Sequence, residues 1–200
     1  MSEAQLDLCA AVECLLFVSR EPVPALRLAE VLGAPLEQIP LLIEELGRRL
    51  EHTGLHVVPL AGGYCLATRE AYAEPVRKFL EPKPQQLSPQ ALETLAIVAY
   101  RQPVTRPQVE QVRGVNSAGP LRSLLDRRLL KVTGRQNAPG RPFLFVTTRE
   151  FLEVFGLPSL EDLPPLSGDV TQALTQALSV ESPVEEPAAK EAEAPFEFEA

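Results

Sequence analysis

The clearest alternation of hydrophobic and polar positions begins near the middle of the chain and has the period of an α-helix. Four apolar residues are spaced at i, i+3, i+4 and i+7, which places them on one helical face: Leu92, Leu95, Ala96 and Ala99. Ser88 is a suitable N-cap, and Pro89 suits the first turn because its missing N–H leaves no hydrogen bond unmade there. The pattern therefore predicts a helix that ends at Gln102-Pro103, since proline disfavours helical backbone in the preceding residue.

Two shorter helices and a pair of strands follow. Thr105 and Gly114 bound the first of these helices as N-cap and C-cap, and the second is predicted over residues 117–128. Their inward-facing residues recur at helical spacing: Val109, Val112, Leu121, Leu124 and Leu125. The period then changes to two over residues 130–133 and 142–147, which predicts a β-hairpin. Three helices followed by a hairpin is the element order of a winged helix, a variant of the helix-turn-helix.

The first eighty residues show the same order of elements. Helices are predicted over residues 2–19 and 25–31, after Pro35 as far as Leu50, and, as a closing helix, over residues 71–80. Strands are predicted over residues 55–60 and 64–68, with Gly62-Gly63 as the tight turn between them. The buried stripe of the first helix is expected to consist of Ala4, Leu8, Ala11, Val12 and Leu15, with Cys9 and Leu16 beside it.

Two related domains explain this repetition. Residues 20–33 align with residues 101–114 at a constant offset of 81, with five identical positions, although shared turn and helix requirements also produce such matches. The predicted fold class is α+β, mainly helical, with tandem winged-helix domains at residues 1–80 and 87–166, the second including a closing helix and a short extension. Residues 81–86 form a proline-containing linker. Residues 167–200 are predicted to be a mostly disordered acidic tail, because they are rich in Pro, Ala and Glu.

Charge is distributed unevenly along the chain, whose formal net charge is −8. Residues 1–86 carry 8 basic and 12 acidic residues, and residues 157–200 carry 1 basic and 10 acidic residues. Residues 87–156 carry 10 basic and 5 acidic residues, which gives this segment a net charge of +5. The second domain is therefore the part expected to attract acidic partners.

The sequence contains few residues in patterns suited to catalysis or metal binding. His52 and His56 are the only histidines, and no glycine pattern of a nucleotide-phosphate loop is present. Cys9, Cys14 and Cys65 lack CxxC spacing and are expected to be buried free thiols in a reducing cytoplasm. We therefore expect no enzyme activity, no cofactor and no metal. No long apolar run or signal-like N-terminus is found, which favours a cytoplasmic protein.

A group of basic residues lies on and after the third helix of the second domain. In a DNA-binding winged helix this helix enters the major groove, and its exposed face would include Asn116, Ser117 and Ser123. The candidates for weak nucleic-acid contact are Arg122, Arg127, Arg128, Lys131 and Arg135. The alternative is a solvated arginine-rich surface, since arginine is the main cation of this chain.

An apolar group lies on the second strand of the second hairpin. Phe143-Leu144-Phe145-Val146 places large side chains on both faces of the strand, whereas a hairpin needs only one face against its own helices. The other face meets either the closing helix, with Phe151, Leu152 and Phe155, or a partner. The sequence leaves both alternatives open.

Three segments resemble one protein family: LSPQALETLAIVAYRQPVTRPQVEQVRGVNS, LLDRRLL and GRQNAPGRPFLFVTTREFLEVFGLPSLEDLPPL. They are similar to segregation and condensation protein B, the accessory subunit of the bacterial SMC–kleisin complex. The chain departs from that pattern at Arg128, where a glycine is expected. The resemblance implies a homodimer formed through the first domain. It also implies binding to the kleisin subunit, segregation and condensation protein A, and through it to the SMC ATPase. Its implied role is chromosome condensation and segregation during cell division, in the nucleoid.

Five residues of the second domain are candidates for binding the kleisin: Arg113, Asn116, Arg141, Phe143 and Phe145. Arg141 is favoured because Pro139-Gly140 presents it on the hairpin, and arginine makes forked contacts to carboxylates. Arg113 alternatively interacts only with the C-terminal dipole of its own helix. The rival function is a winged-helix transcription regulator, which should bind a defined duplex without a kleisin.

Overall fold

The computed structural model describes residues 7–80 and 87–165, which we call the first half and the second half. The first half contains helices α1 (Leu8–Val18), α2 (Ala25–Leu32), α3 (Ile39–Arg49) and α4 (Ala73–Leu80) and the antiparallel strands β1 (Leu55–Leu60) and β2 (Gly63–Thr68). The second half contains helices α5 (Pro89–Arg101), α6 (Arg106–Arg113), α7 (Ala118–Asp126) and α8 (Arg149–Phe155) and strands β3 (Val104–Thr105), β4 (Leu130–Arg135) and β5 (Phe143–Thr147). Short 3₁₀ turns occupy Leu36–Gln38, Glu70–Tyr72 and Leu160–Asp162. This confirms a mainly helical α+β protein, while the predicted linker 81–86 and tail 167–200 lie outside the described residues.

The first half is built around one apolar core to which α1, α2 and α3 contribute. Helix α1 begins at Leu8 and not at Ser2, because the Asp7 carboxylate accepts hydrogen bonds from the N–H groups of Cys9 and Ala10 and caps the helix. Its buried residues are Cys9, Val12 and Leu16, which confirms the predicted stripe at Val12, and the partly buried Leu15 packs against the same core. Leu8 and Ala11 are only partly buried, and the predicted Ala4 lies outside the described residues. Cys9 is buried as predicted, but the prediction was wrong for Cys14, which is exposed, and Cys65 is half-buried.

The turn of the first hairpin is shifted by one residue from its predicted position. Leu60 pairs with Gly63, so the two turn residues are Ala61 and Gly62, with φ angles of 47° and 75°. Positive φ at both positions is typical of a type I′ turn. Gly63 instead begins β2, where a Cβ would lie 2.7 Å from the carbonyl carbon of Val23. The glycine at this position is therefore required by close approach of two backbone segments.

The second half encloses its core between three helices and a three-stranded sheet. Strand β5 is central, pairing with β3 on one side and β4 on the other, both antiparallel. The predicted N-caps are confirmed: the hydroxyls of Ser88, Thr105 and Thr148 each accept a hydrogen bond from the first turn of α5, α6 and α8. The sequence pattern missed β3, whose second residue, Thr105, is also the N-cap of α6.

Arg128 connects α7 to β4 in a conformation that glycine normally adopts. Its φ is 57°. The Arg128 N–H donates to the Leu125 carbonyl at 2.8 Å, and its own carbonyl accepts from Thr148 Oγ1 at 2.6 Å. This explains why the resemblance leads one to expect a glycine at this position, since non-glycine residues pay a steric penalty in the left-handed region.

Candidate partner-binding site

Arg113 is committed to contacts within the chain. Its side chain is only 5% exposed. Its Nε and Nη2 atoms donate to Glu93 Oε2 at 3.3 and 3.1 Å, and Nη1 donates to Ser117 Oγ at 3.1 Å. The guanidinium therefore joins the end of α6 to α5 and to the start of α7. This arrangement differs from both sequence-based interpretations of Arg113, a partner contact and an interaction with its own helix terminus.

Glu110 also stabilises the connection between α6 and α7. Its Oε1 accepts from Arg106 Nε at 2.8 Å and from the Ser117 N–H at 2.9 Å. Burial opposes ionisation of Glu110, but these hydrogen bonds and the Arg106 charge outweigh it, so the pKa of this carboxyl lies below its usual range. The placement of Ser117 on the exposed face of α7 was wrong, because Ser117 is fully buried in this network. The i,i+4 spacing of Arg106 and Glu110 was the available sequence signal.

Asn116 and Arg141 remain at the surface. The Asn116 Oδ1 accepts from the Ala118 N–H at 2.9 Å, which stabilises the entry into α7 and leaves the residue exposed. Arg141 lies in the loop between β4 and β5 with a φ of 41°. Its backbone is held by a bond from its N–H to the Ala138 carbonyl at 2.8 Å and by Arg135 Nη1, which donates to its carbonyl at 3.2 Å. The exposed Arg141 side chain is thus carried by a fixed loop.

The two phenylalanines of β5 differ in their surroundings. Phe145 is 3% exposed and lies in the second core, to which Phe151 of α8 also belongs, so this side chain is used inside the protein. Phe143 is partly buried at the edge of the same core, and the Arg135 guanidinium carbon lies 3.9 Å from its ring centroid. This is a cation–π contact, and it gives Arg135 a structural role in the hairpin. Leu144 and Val146, on the opposite face, are partly buried.

The residues proposed for nucleic-acid contact are all exposed in the second half: Arg122, Arg127, Arg128, Lys131 and Arg135. They extend from the middle of α7 to the end of β4.

The first half presents large apolar side chains to solvent. Phe17 and Val18 at the end of α1 are 77% and 72% exposed, and Leu41 in α3 is 64% exposed. Contiguous apolar patches mark surfaces that associate with another protein, so these residues are candidates for such a surface. They lie on the helices whose inner faces form the first core, so the same two helices provide both core and candidate interface.

The titratable groups of residues 7–80 and 87–165 do not converge on a metal site. Within these ranges no three His, Cys, Asp or Glu residues are close enough together to hold a metal ion. The three cysteines are free thiols. In the same part of the chain, no helix has the length and apolar character needed to cross a membrane.

These features define a class: a mainly helical α+β protein with two hairpins, whose candidate functional residues form surfaces for binding. The family model described as segregation and condensation complex subunit ScpB matches residues 10–166, and the chain belongs to this family. Segregation and condensation protein B of Symbiobacterium thermophilum is 47% identical over 163 residues, covering 80% of this chain and 74% of the relative.

Two solved structures are also similar to this chain. ScpB from Mycobacterium tuberculosis is 38% identical, with 77% of this chain and 99% of that chain covered and a TM-score of 0.36. A dimer of the ScpB N-terminal domain complexed with a ScpA peptide is 31% identical, with 36% of this chain and 91% of that chain covered and a TM-score of 0.34. The family predicted from the sequence is confirmed by the match over residues 10–166.

Proposed function

We propose that this chain is a non-enzymatic homodimeric adaptor that binds the kleisin subunit ScpA of an SMC complex. Through the kleisin it meets the SMC ATPase and supports chromosome condensation and segregation during cell division. The observation that carries this proposal is membership of the complex-subunit family over residues 10–166. The ScpB N-terminal domain dimer complexed with a ScpA peptide supports it further. The adaptor acts in the cytoplasm at the nucleoid and needs no cofactor or metal.

The two halves are tandem winged-helix domains in this proposal. Each has three main helices followed by an antiparallel hairpin, and in each the hairpin is followed by a further helix, α4 or α8. The domain boundaries are residues 1–80 and 87–166, joined by residues 81–86. The residues 157–165 belong to the second domain, since Leu157 and Leu163 pack against its core and Tyr100 donates a hydrogen bond to the Pro164 carbonyl at 2.6 Å.

Dimerisation is assigned to the first domain. The exposed apolar residues Phe17, Val18 and Leu41 provide surface that water solvates poorly, and burying it between two copies would stabilise a dimer. Sedimentation of the full chain at micromolar concentration should give a dimer, and Phe17→Glu should shift it towards monomer. Leu92→Glu is the control, because Leu92 is an exposed apolar residue on α5 in the second domain. A full chain that sediments as a monomer contradicts this assignment.

Kleisin binding is assigned to the surface near the second hairpin loop, with Arg141 as its main contact and Asn116 and the edge of Phe143 as further candidates. Arg113 and Phe145 act indirectly, because the first is held by Glu93 and Ser117 and the second lies in the core. An exposed arginine on a fixed loop suits an acidic segment, since a guanidinium forms paired bonds to a carboxylate.

Calorimetry with purified kleisin from the same organism tests this site. Arg141→Ala should weaken binding by roughly tenfold, the effect of losing one charge-assisted contact. Lys131→Ala removes an equally exposed cation from β4 of the same hairpin and should leave the affinity unchanged. Absence of heat with the unaltered chain would refute the adaptor function, whereas equal affinities of the two variants would refute only the role of Arg141.

A further inference from the structure

The outer face of the first hairpin is mainly apolar, with one histidine, and is partly covered. Val57, Tyr64 and Leu66 contact the first core. Because side chains alternate along a strand, the opposite face is formed by the residues between and beside them: His56, Val58, Leu60, Cys65 and Ala67. All of these are partly buried, although none of them packs into the first core.

The second half supplies groups that meet this hairpin at its turn. The Ala61 N–H donates to the Leu157 carbonyl at 2.9 Å, and the Gly62 N–H donates to the Pro158 carbonyl at 2.8 Å. The type I′ geometry of the turn holds these two donors side by side. The acceptors are consecutive carbonyls in the segment that follows α8. The contact is therefore a short backbone-to-backbone pairing between the two halves.

Helix α8 adds side-chain contacts next to this pairing. Arg149 Nη2 donates to the Pro22 carbonyl at 2.6 Å, and Arg149 Nε lies 3.2 Å from Glu153 Oε1 one turn later. Glu153 is also close to β2: burial first, and then the Glu153 charge, raise the pKa of the Cys65 thiol. Pro22 directly precedes Val23, which pairs with Tyr64, so all these contacts converge on one side of the hairpin.

We infer that residues 149–158 are an internal docking segment that closes over the outer face of β1 and β2 and holds the two halves in one orientation in the free chain. Phe151 is buried in the second core, so this segment cannot move away from the hairpin without the rest of the second half. Opening the contact separates the halves as bodies and exposes the outer face together with the N–H groups of Ala61 and Gly62. The orientation of the two halves is thus set by a specific contact in addition to their covalent connection.

The three native cysteines provide a direct test in the full chain. Maleimide labelling followed by peptide mapping should modify exposed Cys14 fastest, Cys65 more slowly and buried Cys9 slowest. Arg149→Ala removes the bond to Pro22 and should accelerate labelling of Cys65 by roughly threefold to tenfold, the worth of one charge-assisted hydrogen bond at a partly exposed site. Lys131→Ala, which removes an exposed cation from the same half, should leave all three rates unchanged.

Amide hydrogen exchange of the unaltered chain is a second measurement that does not depend on a variant. The Ala61 and Gly62 amides lie at a hairpin turn and should be protected only through Leu157 and Pro158. The closed contact is supported if both amides are protected in the unaltered chain and lose this protection in Arg149→Ala. Cys9 should stay unreactive in the variant, which shows that the first core remains folded. Exchange of both amides at the rate of an unstructured peptide in the unaltered chain overturns the inference, whatever the variant does.

Discussion

Replacing Arg128 by glycine should stabilise the second half. The φ of 57° places Arg128 in the left-handed region, which costs a residue with a Cβ about 1–2 kcal/mol. Glycine avoids this cost but loses more backbone entropy on folding, about 0.5–1 kcal/mol. Both hydrogen bonds of Arg128 are made by backbone atoms, to Leu125 and from Thr148, and survive the substitution. The net expectation is a gain of about 0.5–1 kcal/mol in the free energy of unfolding.

Native-state hydrogen exchange is the appropriate assay for this gain. The two halves have separate cores, so a single unfolding transition of the whole chain is not assumed. Amides of β4 and β5 should exchange roughly two- to fivefold more slowly in Arg128→Gly if they exchange through unfolding of the second half. Arg128→Ala is the control, because it shortens the side chain and keeps the Cβ. Equal exchange rates in the glycine and alanine variants would refute the conformational argument.

Two further predictions concern the first half, and a third concerns the intact chain. Gly63→Ala should destabilise the first half by about 1–3 kcal/mol, since its Cβ would collide with backbone. Gly47→Ala, in α3 with open space around the new Cβ, should stabilise the first half by about 0.5–1 kcal/mol. Denaturant unfolding of the first half measures both changes. The hydrogen bond from Arg49 lowers the pKa of Asp7 in the folded protein below its ordinary value of 3.8. The Asp7 carboxylate therefore stabilises α1 fully at pH values above 3.8, and this stabilisation is lost as the pH falls through the lowered pKa of the folded protein. Asp7→Asn should therefore lower the melting temperature at neutral pH and converge with the unaltered chain in strong acid. The intact protein should bind duplex DNA with a dissociation constant no lower than roughly 10⁻⁴–10⁻⁶ M at physiological salt. Removal of residues 182–200 should strengthen that binding only at low salt. Nanomolar affinity for one sequence would favour the transcription regulator instead.

Local signals in the sequence predicted local structure well. The caps at Ser88, Thr105 and Thr148 involve side chains that bond to backbone within the next few residues, so their effect is visible in a short window of sequence. Most helices and strands of both halves follow from the change of hydrophobic period for the same reason, whereas the two-residue strand β3 does not. The family resemblance rests on long ordered segments and was confirmed by the match over residues 10–166.

The sequence did not indicate contacts in which a distant partner decides the role of a residue. Arg113 meets Glu93 from a preceding helix, which no spacing within α6 indicates. Gly63 belongs to the strand and not to the turn, because the backbone near Val23 approaches it closely. Cys14 sits among apolar neighbours in sequence, yet it lies on the outer side of α1. In each case tertiary packing, and not local propensity, fixes the outcome.

The bonds from Ala61 and Gly62 to Leu157 and Pro158 use only peptide groups. Residues at these positions can therefore change without altering the donors and acceptors, provided that the backbone keeps its path. Substitutions at these positions would act through other effects, such as the positive φ of Gly62 and the packing of Leu157 against the second core, and paired substitutions between relatives would leave no covariation across the contact. Only Arg149, which uses its side chain, would mark this junction in a mutational survey. An interface of this kind persists while the sequences of relatives diverge, and a comparison of those sequences barely reveals it.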